Sequence, residues 1–567
     1  MLKDVVLTIC EYSQNHPYWT FIVVIILFCI YYTIYLPVTS PLWKVPGPHL
    51  YRITKIPYLN HQRKGSWIGT VYNLHLKYGP VVILSPTEIS CNGSSNFIND
   101  IYLKNLPKSK FYENFTNHGS DNIFATLAND KHKNYKKIIN KLYNKSNIFS
   151  FENNTRTILI NTTRSLIKVI YDSSINGKNP DNHTLNSNFN PHGKSHKEPN
   201  WYNKSKQIKN LSMDVFTLFG ALAMDVVSKF ELGENNGTNL IENPKEREVI
   251  LKHRQVSGMG FWTTLMPQFF WDFAANKIVL QAFKDITNFQ IQLYEFAEKN
   301  YGKNGKNLTT LETLKKNGLR GNKAYSFLSD NLFAGHETTA VQLCYLTYEL
   351  SRPGNANILK NLQMELFENF GKPQDSNDMI IDLEKVDSLP FLNSLILENS
   401  RVHSSIPGAE PRVLDKDYHI DQFKIPIGTT ISCLPYALHR EPKIFPKHDE
   451  FIPERWLKYS EENEQQYQER IKLQNKFMMP FGKGIRMCLG MQLALIEMKL
   501  TIANIYWHFN TKLDQDWCEI EPILKPIKLG LVNCGENNYD FEKMTMFDFY
   551  TINPINDECW LRFYENS

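Results

Sequence analysis

The stretch FGKGIRMCLG, Phe481–Gly490, places three glycines, an arginine and a single cysteine within ten residues. Glycine costs conformational entropy, so a run of this kind marks backbone that turns tightly or approaches something closely. Cys488 stands just ahead of a helix-like run, MQLALIEMKLTIANIYW. Unpaired N–H groups and the dipole at such a helix start favour a thiolate. A thiolate held by backbone donors is a soft metal ligand. Cys488 is therefore a candidate metal ligand. Gly482 and Gly490 would let the loop lie flat against a large planar group, and Arg486 would offer a cation to an acidic substituent on it. The bland alternative for a lone cysteine is a small buried hydrophobe.

A second constellation is AGHETT, Ala334–Thr339. The flanking segments YSFLSDNLF and VQLCYLTYEL are too apolar for a surface helix. In mid-helix a glycine costs about 1 kcal/mol against alanine. Thr338 can bond the carbonyl of Ala334, four residues back, and open the helix there. A carboxylate and a hydroxyl at such a place, Glu337 and Thr338, can hold water and relay protons.

The elements that must position these groups are mostly helical. LSMDVFTLFGALAMDVVSKF, residues 211–230, has apolar residues at helical spacing and reads as a buried helix. Another long helix is expected over about 321–351. YGPVVILSPTEISC has the β-branched, turn-bounded look of a hairpin. Residues 173–208 are rich in Asn, Lys and His and too polar to bury themselves, so they read as a disordered insertion.

Near the N-terminus, Tyr18–Leu36 is a run of 19 residues without a charge. As a helix it reaches roughly 28 Å, close to the thickness of a bilayer core. A buried core helix and a cleaved signal peptide are the alternatives. The run is too long for a signal h-region, and no small-residue cleavage site follows it. We read residues 1–17 as a lumenal tail, 18–36 as a membrane anchor, 37–48 as a stiff non-helical Pro-rich linker and 49–567 as the catalytic body. Lys44, Arg52 and Lys55 follow the span, which leaves that body in the cytosol. The nine cysteines are scattered singly with no zinc-type spacing, as expected of a reducing compartment. A net charge of +5 over 567 residues does not suggest a nucleic-acid partner.

Phe481-x-x-Gly484-x-Arg486-x-Cys488-x-Gly490 resembles the haem-binding loop of the cytochrome P450 superfamily, of the fungal microsomal type. AGHETT resembles that family's oxygen-activation motif. ENSR, Glu398–Arg401, resembles its E-x-x-R, and FIPERW supplies the third partner, Arg455, of a structural Glu–Arg–Arg cluster. Arg412 falls where the family places a haem-propionate ligand. HKNYK aligns His132 and Lys136 with a W/H-x-x-x-R propionate site in which lysine replaces arginine. Lys replaces the bidentate fork by a point charge. The basic segment 131–145 and Lys483, which would look outward, suggest a docking face for an acidic redox partner, or simply a solvated helix face.

The resemblance implies a mainly α fold with small β-sheets behind a single transmembrane helix. It also implies haem b as cofactor, with Cys488 as axial thiolate and Phe481, Gly482 and Gly490 in the cradle. By the same resemblance the chain is a monooxygenase of the endoplasmic reticulum membrane. It would draw NADPH electrons through NADPH–cytochrome P450 reductase, with cytochrome b5 as an optional second donor, and act on a mostly apolar small molecule. The aromatic stretch 260–273 would touch the substrate, pack in the core or dip into the membrane. Oxidative phenol coupling of a dityrosine-forming kind and a haem-thiolate isomerase or dehydratase stay open beside hydroxylation. A non-enzymatic haem sensor or carrier would need no proton relay.

Overall fold

Apolar periodicity over long stretches builds this chain largely from helices. The computed structural model describes residues 16–177, 211–257, 277–302, 309–420, 422–522, 529 and 539–566. Most of the polar insertion at 173–208 and the aromatic stretch at 260–273 lie outside them.

The first helix among the described residues, α1 (Pro17–Ile30), starts on a proline, which lacks only an N–H that the first turn does not need. Pro17–Tyr35 is long and apolar enough to cross a membrane, and none of that window is buried. The path beyond it differs from the expected non-helical linker. A π turn at Tyr31–Tyr35 and a helical turn at Leu36–Thr39 carry the helix on, and Pro41–Lys44 forms a 3-10 turn. Proline suits the first position of such a turn, and Ser40 caps it by accepting from the Leu42 N–H. The Arg52 guanidinium then donates to the carbonyls of Trp43, Val45 and Gly47. These three bonds lock the lead-in onto the body.

The expected hairpin is present as β1 (Val81–Ser85) and β2 (Glu88–Cys91), paired antiparallel. With β4 (Arg412–Val413) and β5 (Thr430–Ser432) they form a sheet in the order β1-β2-β5-β4. A second sheet joins β3 (Ser212–Asp214), β6 (Phe509–Leu513) and β7 (Trp560–Glu565) in the order β3-β7-β6. The helix expected at 211–230 therefore begins later, as α3 (Val215–Leu232), following the basic α2 (Asn129–Ile139) in the chain. Asp214 makes the switch, because its carboxylate accepts the Phe216 N–H and caps α3 where strand β3 ends.

α4 (Asn322–Ser351) is the central helix and runs without interruption through AGHETT, so the opening expected at Thr338 does not break it. α3 packs along it. A Cβ on Gly335 would lie 2.7 Å from the Val227 side chain, so glycine lets the two helices come this close. α5 (Pro390–Val402) and α6 (Met491–His508) also pack on α4. The result is a mainly α architecture with small sheets at its margins, as the sequence implied.

Candidate functional site

The cysteine loop is fixed before α6 begins. Cys488 N–H donates to the Phe481 carbonyl at 2.9 Å and Met487 N–H to the Gly484 carbonyl at 3.1 Å. Gly484 has φ +73°, and a Cβ there would sit 2.2 Å from the Tyr102 carbonyl oxygen. Only glycine lets the loop lie against that backbone. Ile485 N–H donates to Asn105 Oδ1 at 3.1 Å, and Arg486 donates to the Thr126 and Leu127 carbonyls at 2.7 Å each. Phe481 is partly buried against the core. Lys483 Nζ donates to the carbonyl of the exposed Asn475 at 3.1 Å, a contact at the surface of the molecule.

Within this frame Cys488 stays exposed, while Cys91, Cys344, Cys433, Cys518 and Cys559 are buried. Surrounding protein nevertheless pushes its thiol up, against the Gly490 N–H and the Lys136 ammonium, which favour the thiolate. The thiolate argument from the helix start is thus half of the picture: the donors are there, and desolvation outweighs them until a cation binds the sulfur. A Cβ on Gly490 would meet nothing within 4 Å, so the loop faces open space there.

A second accessible stretch occurs on α4. Most of this helix is buried, yet Ala334 is exposed and Phe333 and Thr338 are partly so. Thr338 Oγ1 donates to the Ala334 carbonyl at 2.6 Å, which leaves its oxygen lone pairs free to accept. Glu337 is buried. The Thr338 carbonyl accepts from Ser405 Oγ at 2.8 Å, tying this turn to the segment after α5.

Cations gather beside the loop. Arg412 is buried, donates to Tyr112 Oη at 3.0 Å and pairs with Glu410 at 3.3 Å. Despite the cost of burial, Tyr112, Glu410 and Tyr102 hold its guanidinium above the usual range. Burial and Arg412 push Arg486 down to about 10. His132 is buried and drops to about 3, through burial and the fields of Arg486, Lys108, Lys136 and Arg412. Its Nδ1 has no hydrogen-bond partner among the described residues. Lys136 does not point to a free anion site: its Nζ donates to the Ile485 and Met487 carbonyls at 3.0 and 3.1 Å.

The residues present fit a haem. An accessible thiol, an open glycine face, an orphaned imidazole nitrogen and clustered guanidinium groups suit a soft iron and the acidic edge of a planar ring. Among the described residues no group of three or more His, Cys, Asp or Glu forms an alternative metal site.

In the core, Glu398 accepts from Arg401 Nε and Nη2 at 2.9 and 2.8 Å, from Arg455 Nε at 3.0 Å and from Trp456 Nε1 at 2.9 Å. The Ile452 N–H adds a fifth bond at 2.9 Å. All three charged side chains are buried. The cluster touches no open face, so it positions rather than reacts.

Sequence reasoning missed Lys108, Glu410 and Asp330. Lys108 lies 3.9 Å from the ring centres of both Tyr112 and Phe124 and donates to the Phe124 carbonyl. Asp330 is one turn before Ala334, and burial pushes it up to about 7. The available signal for Asp330 was its i, i+4, i+8 spacing with Ala334 and Thr338.

A profile of the family described as Cytochrome P450 matches residues 200–534. Similar proteins include the Cytochrome P450 monooxygenase orf2 of Aspergillus niger, 25% identical over 489 residues that cover 82% of this chain and 86% of that one. The Cytochrome P450 monooxygenase alt3 of Alternaria solani is 26% identical over 518 residues, 87% and 88% of the two chains. The Cytochrome P450 monooxygenase BOT1 of Botryotinia fuckeliana is 36% identical over 194 residues, about a third of each. The profile spans more than half of the chain, including the cysteine loop, AGHETT and the Glu398 cluster, and the chain therefore belongs to the cytochrome P450 family.

Proposed function

We propose that this cytochrome P450 is a membrane-anchored monooxygenase that inserts one oxygen atom from O2 into a mostly apolar organic substrate. Electrons come from NADPH through a separate reductase, with cytochrome b5 as an optional donor. The observation that carries this reading is the pair of accessible faces in otherwise packed elements: Cys488 ahead of α6 and Ala334–Thr338 on α4. Haem, when bound, supplies the dioxygen activation and oxidative chemistry.

The chain's own groups do the rest. Cys488 Sγ would hold the haem iron, and the neighbouring N–H groups would stabilise its negative charge. Arg486 and Arg412 would neutralise the acidic groups of the cofactor and the neutral His132 would donate a hydrogen bond to them, with Gly482 and Gly490 leaving room for the ring. Thr338 Oγ1, its own hydrogen spent on Ala334, accepts a hydrogen bond at the open face and orients a proton donor there. Glu337, one residue away and buried, is the acid that would supply protons to that face. Phe333 and Ala334 give the face an apolar lining that excludes bulk water. The exposed apolar span and the cations after it fit a single-pass anchor in the endoplasmic reticulum with a cytosolic body.

The test uses the full-length protein reconstituted with a reductase. Wild type should give the thiolate-ligated spectrum after reduction under carbon monoxide, and Cys488→Ala should lose it. Retention of that spectrum by the variant rejects the ligand assignment. Spin-state shifts across a small library of apolar compounds would find the substrate class. Product carrying 18O from labelled O2 supports insertion, and unlabelled product would point to coupling or isomerisation. Thr338→Ala should consume NADPH without matching product. Unchanged coupling would remove Thr338 from the relay.

A further inference from the structure

The position of Lys136 was expected to serve an acidic group of the cofactor, yet its ammonium is occupied elsewhere. Nζ donates to the Ile485 carbonyl at 3.0 Å and the Met487 carbonyl at 3.1 Å. These carbonyls lie on either side of Arg486. The Met487 carbonyl belongs to the same peptide unit as the Cys488 N–H, which donates to Phe481 at 2.9 Å. One peptide bond therefore separates the lysine from the candidate ligand. A compact ammonium with three rotatable donors suits two converging carbonyls, whereas a planar guanidinium fork suits a carboxylate. Arg486 and Arg412 bring guanidinium charge to the same place while bonded to the Thr126 and Leu127 carbonyls and to Tyr112 and Glu410, and Nδ1 of His132 is the polar atom there without a partner among the described residues.

We propose that Lys136 is a positioning residue. It braces the Met487–Cys488 peptide and holds a positive charge against the cysteine loop, and it does not bind the acidic groups of the cofactor. The proposal rests on Cys488 as axial thiolate. Two consequences follow. A cation beside the sulfur favours the more negative, reduced state of the loaded site, so its removal makes reduction harder. A loosened peptide also lets the bound sulfur take up a proton, which lowers the thiolate-ligated fraction without freeing the acidic groups of the cofactor.

The test compares full-length haem-loaded wild type with Lys136→Met, Lys136→Gln and Lys136→Arg. The readouts are the midpoint potential, the thiolate-ligated fraction under carbon monoxide and the rate of haem transfer to an acceptor globin. Loss of the charge in Lys136→Met should make one-electron reduction about tenfold less favourable, or 59 mV. The thiolate-ligated fraction should fall, and haem transfer should stay within about twofold of wild type. Lys136→Arg should restore the potential. The opposite pattern, haem transfer accelerated tenfold or more with the potential unchanged, makes Lys136 a ligand of the acidic groups and overturns the proposal. No change in any readout overturns it too. If Lys136→Met does not accumulate, Lys136→Gln decides by the same comparison. A wild type without the thiolate-ligated spectrum would instead reject the reading of Cys488.

Discussion

Gly484 and Gly490 look alike in the sequence and differ sharply in the structure, so alanine at each tests the account of the loop. At Gly484, φ is +73°, and an L side chain in this region costs roughly 1–2 kcal/mol. The new Cβ would lie 2.2 Å from the Tyr102 carbonyl oxygen and 2.9 Å from Asn105 Oδ1. Tyr102 cannot yield cheaply. It is buried, its hydroxyl accepts from Cys433 N–H at 2.9 Å, and it donates to the Glu410 carbonyl at 3.0 Å. Relieving the clash adds about 1–3 kcal/mol. Displacing Asn105 from the Ile485 N–H adds about 1 kcal/mol. Gly484→Ala should therefore cost about 3–6 kcal/mol, a large part of the roughly 5–15 kcal/mol that holds a typical domain. At Gly490, φ is −81° and the Cβ meets nothing within 4 Å, so alanine should cost about 1 kcal/mol or less as a poorer N-cap. Denaturant unfolding of both variants, with and without added haemin, gives the comparison. Gly484→Ala should shift the transition in both conditions. Gly490→Ala should unfold like wild type without haemin and lose part of the stabilisation that haemin adds, because its methyl enters the space assigned to the ring. Equal destabilisation of the two variants without haemin would refute the reasoning.

Three further outcomes are expected. Glu398→Ala leaves Arg401 and Arg455 buried without their carboxylate, at a cost of about 3–5 kcal/mol; expression of a stable haem protein at wild-type yield would contradict this. Burial pushes Glu231 up to about 7, against bonds from Tyr143 and Asn331. Its protonated form is the one that folding favours, so its contribution is complete below the ordinary glutamate range and is lost as pH rises through about 7, worth about 3 kcal/mol in all. Glu231→Gln should flatten the fall in stability between pH 5 and 8, seen by denaturant unfolding across that range. Deleting residues 1–36 should release the protein from membranes prepared from expressing cells, and continued resistance of the truncated chain to carbonate extraction would assign membrane binding to another surface.

What the sequence made legible was whatever sits close together along the chain. The cysteine loop, AGHETT and ENSR are contiguous, and each carries its own local reason: turn geometry, helix spacing or i, i+3 pairing. The long helices were legible from apolar periodicity, with an error of a few residues where Asp214 ends a strand and caps α3 at once. The lead-in after the anchor was misjudged for a related reason. Proline at the first turn of a helix permits what it forbids in the interior, and Pro41 stands at such a first turn.

The electrostatics of the site was not legible in the same way, because no local pattern encodes it. Lys108, Lys136, Glu410, Arg412 and Arg486 come from four separate parts of the chain, and what each does depends on which partner the fold has already given it. Lys136 illustrates the point. The resemblance of HKNYK to the family's W/H-x-x-x-R implies a cation for an acidic group. Only the three-dimensional positions of the Ile485 and Met487 carbonyls redirect it to the loop. A lysine that stabilises the ligand and an arginine that binds the cofactor can thus occupy one motif position, and the choice rests on donor geometry rather than on charge. Measuring potential and haem retention separately on the same variant is what tells them apart.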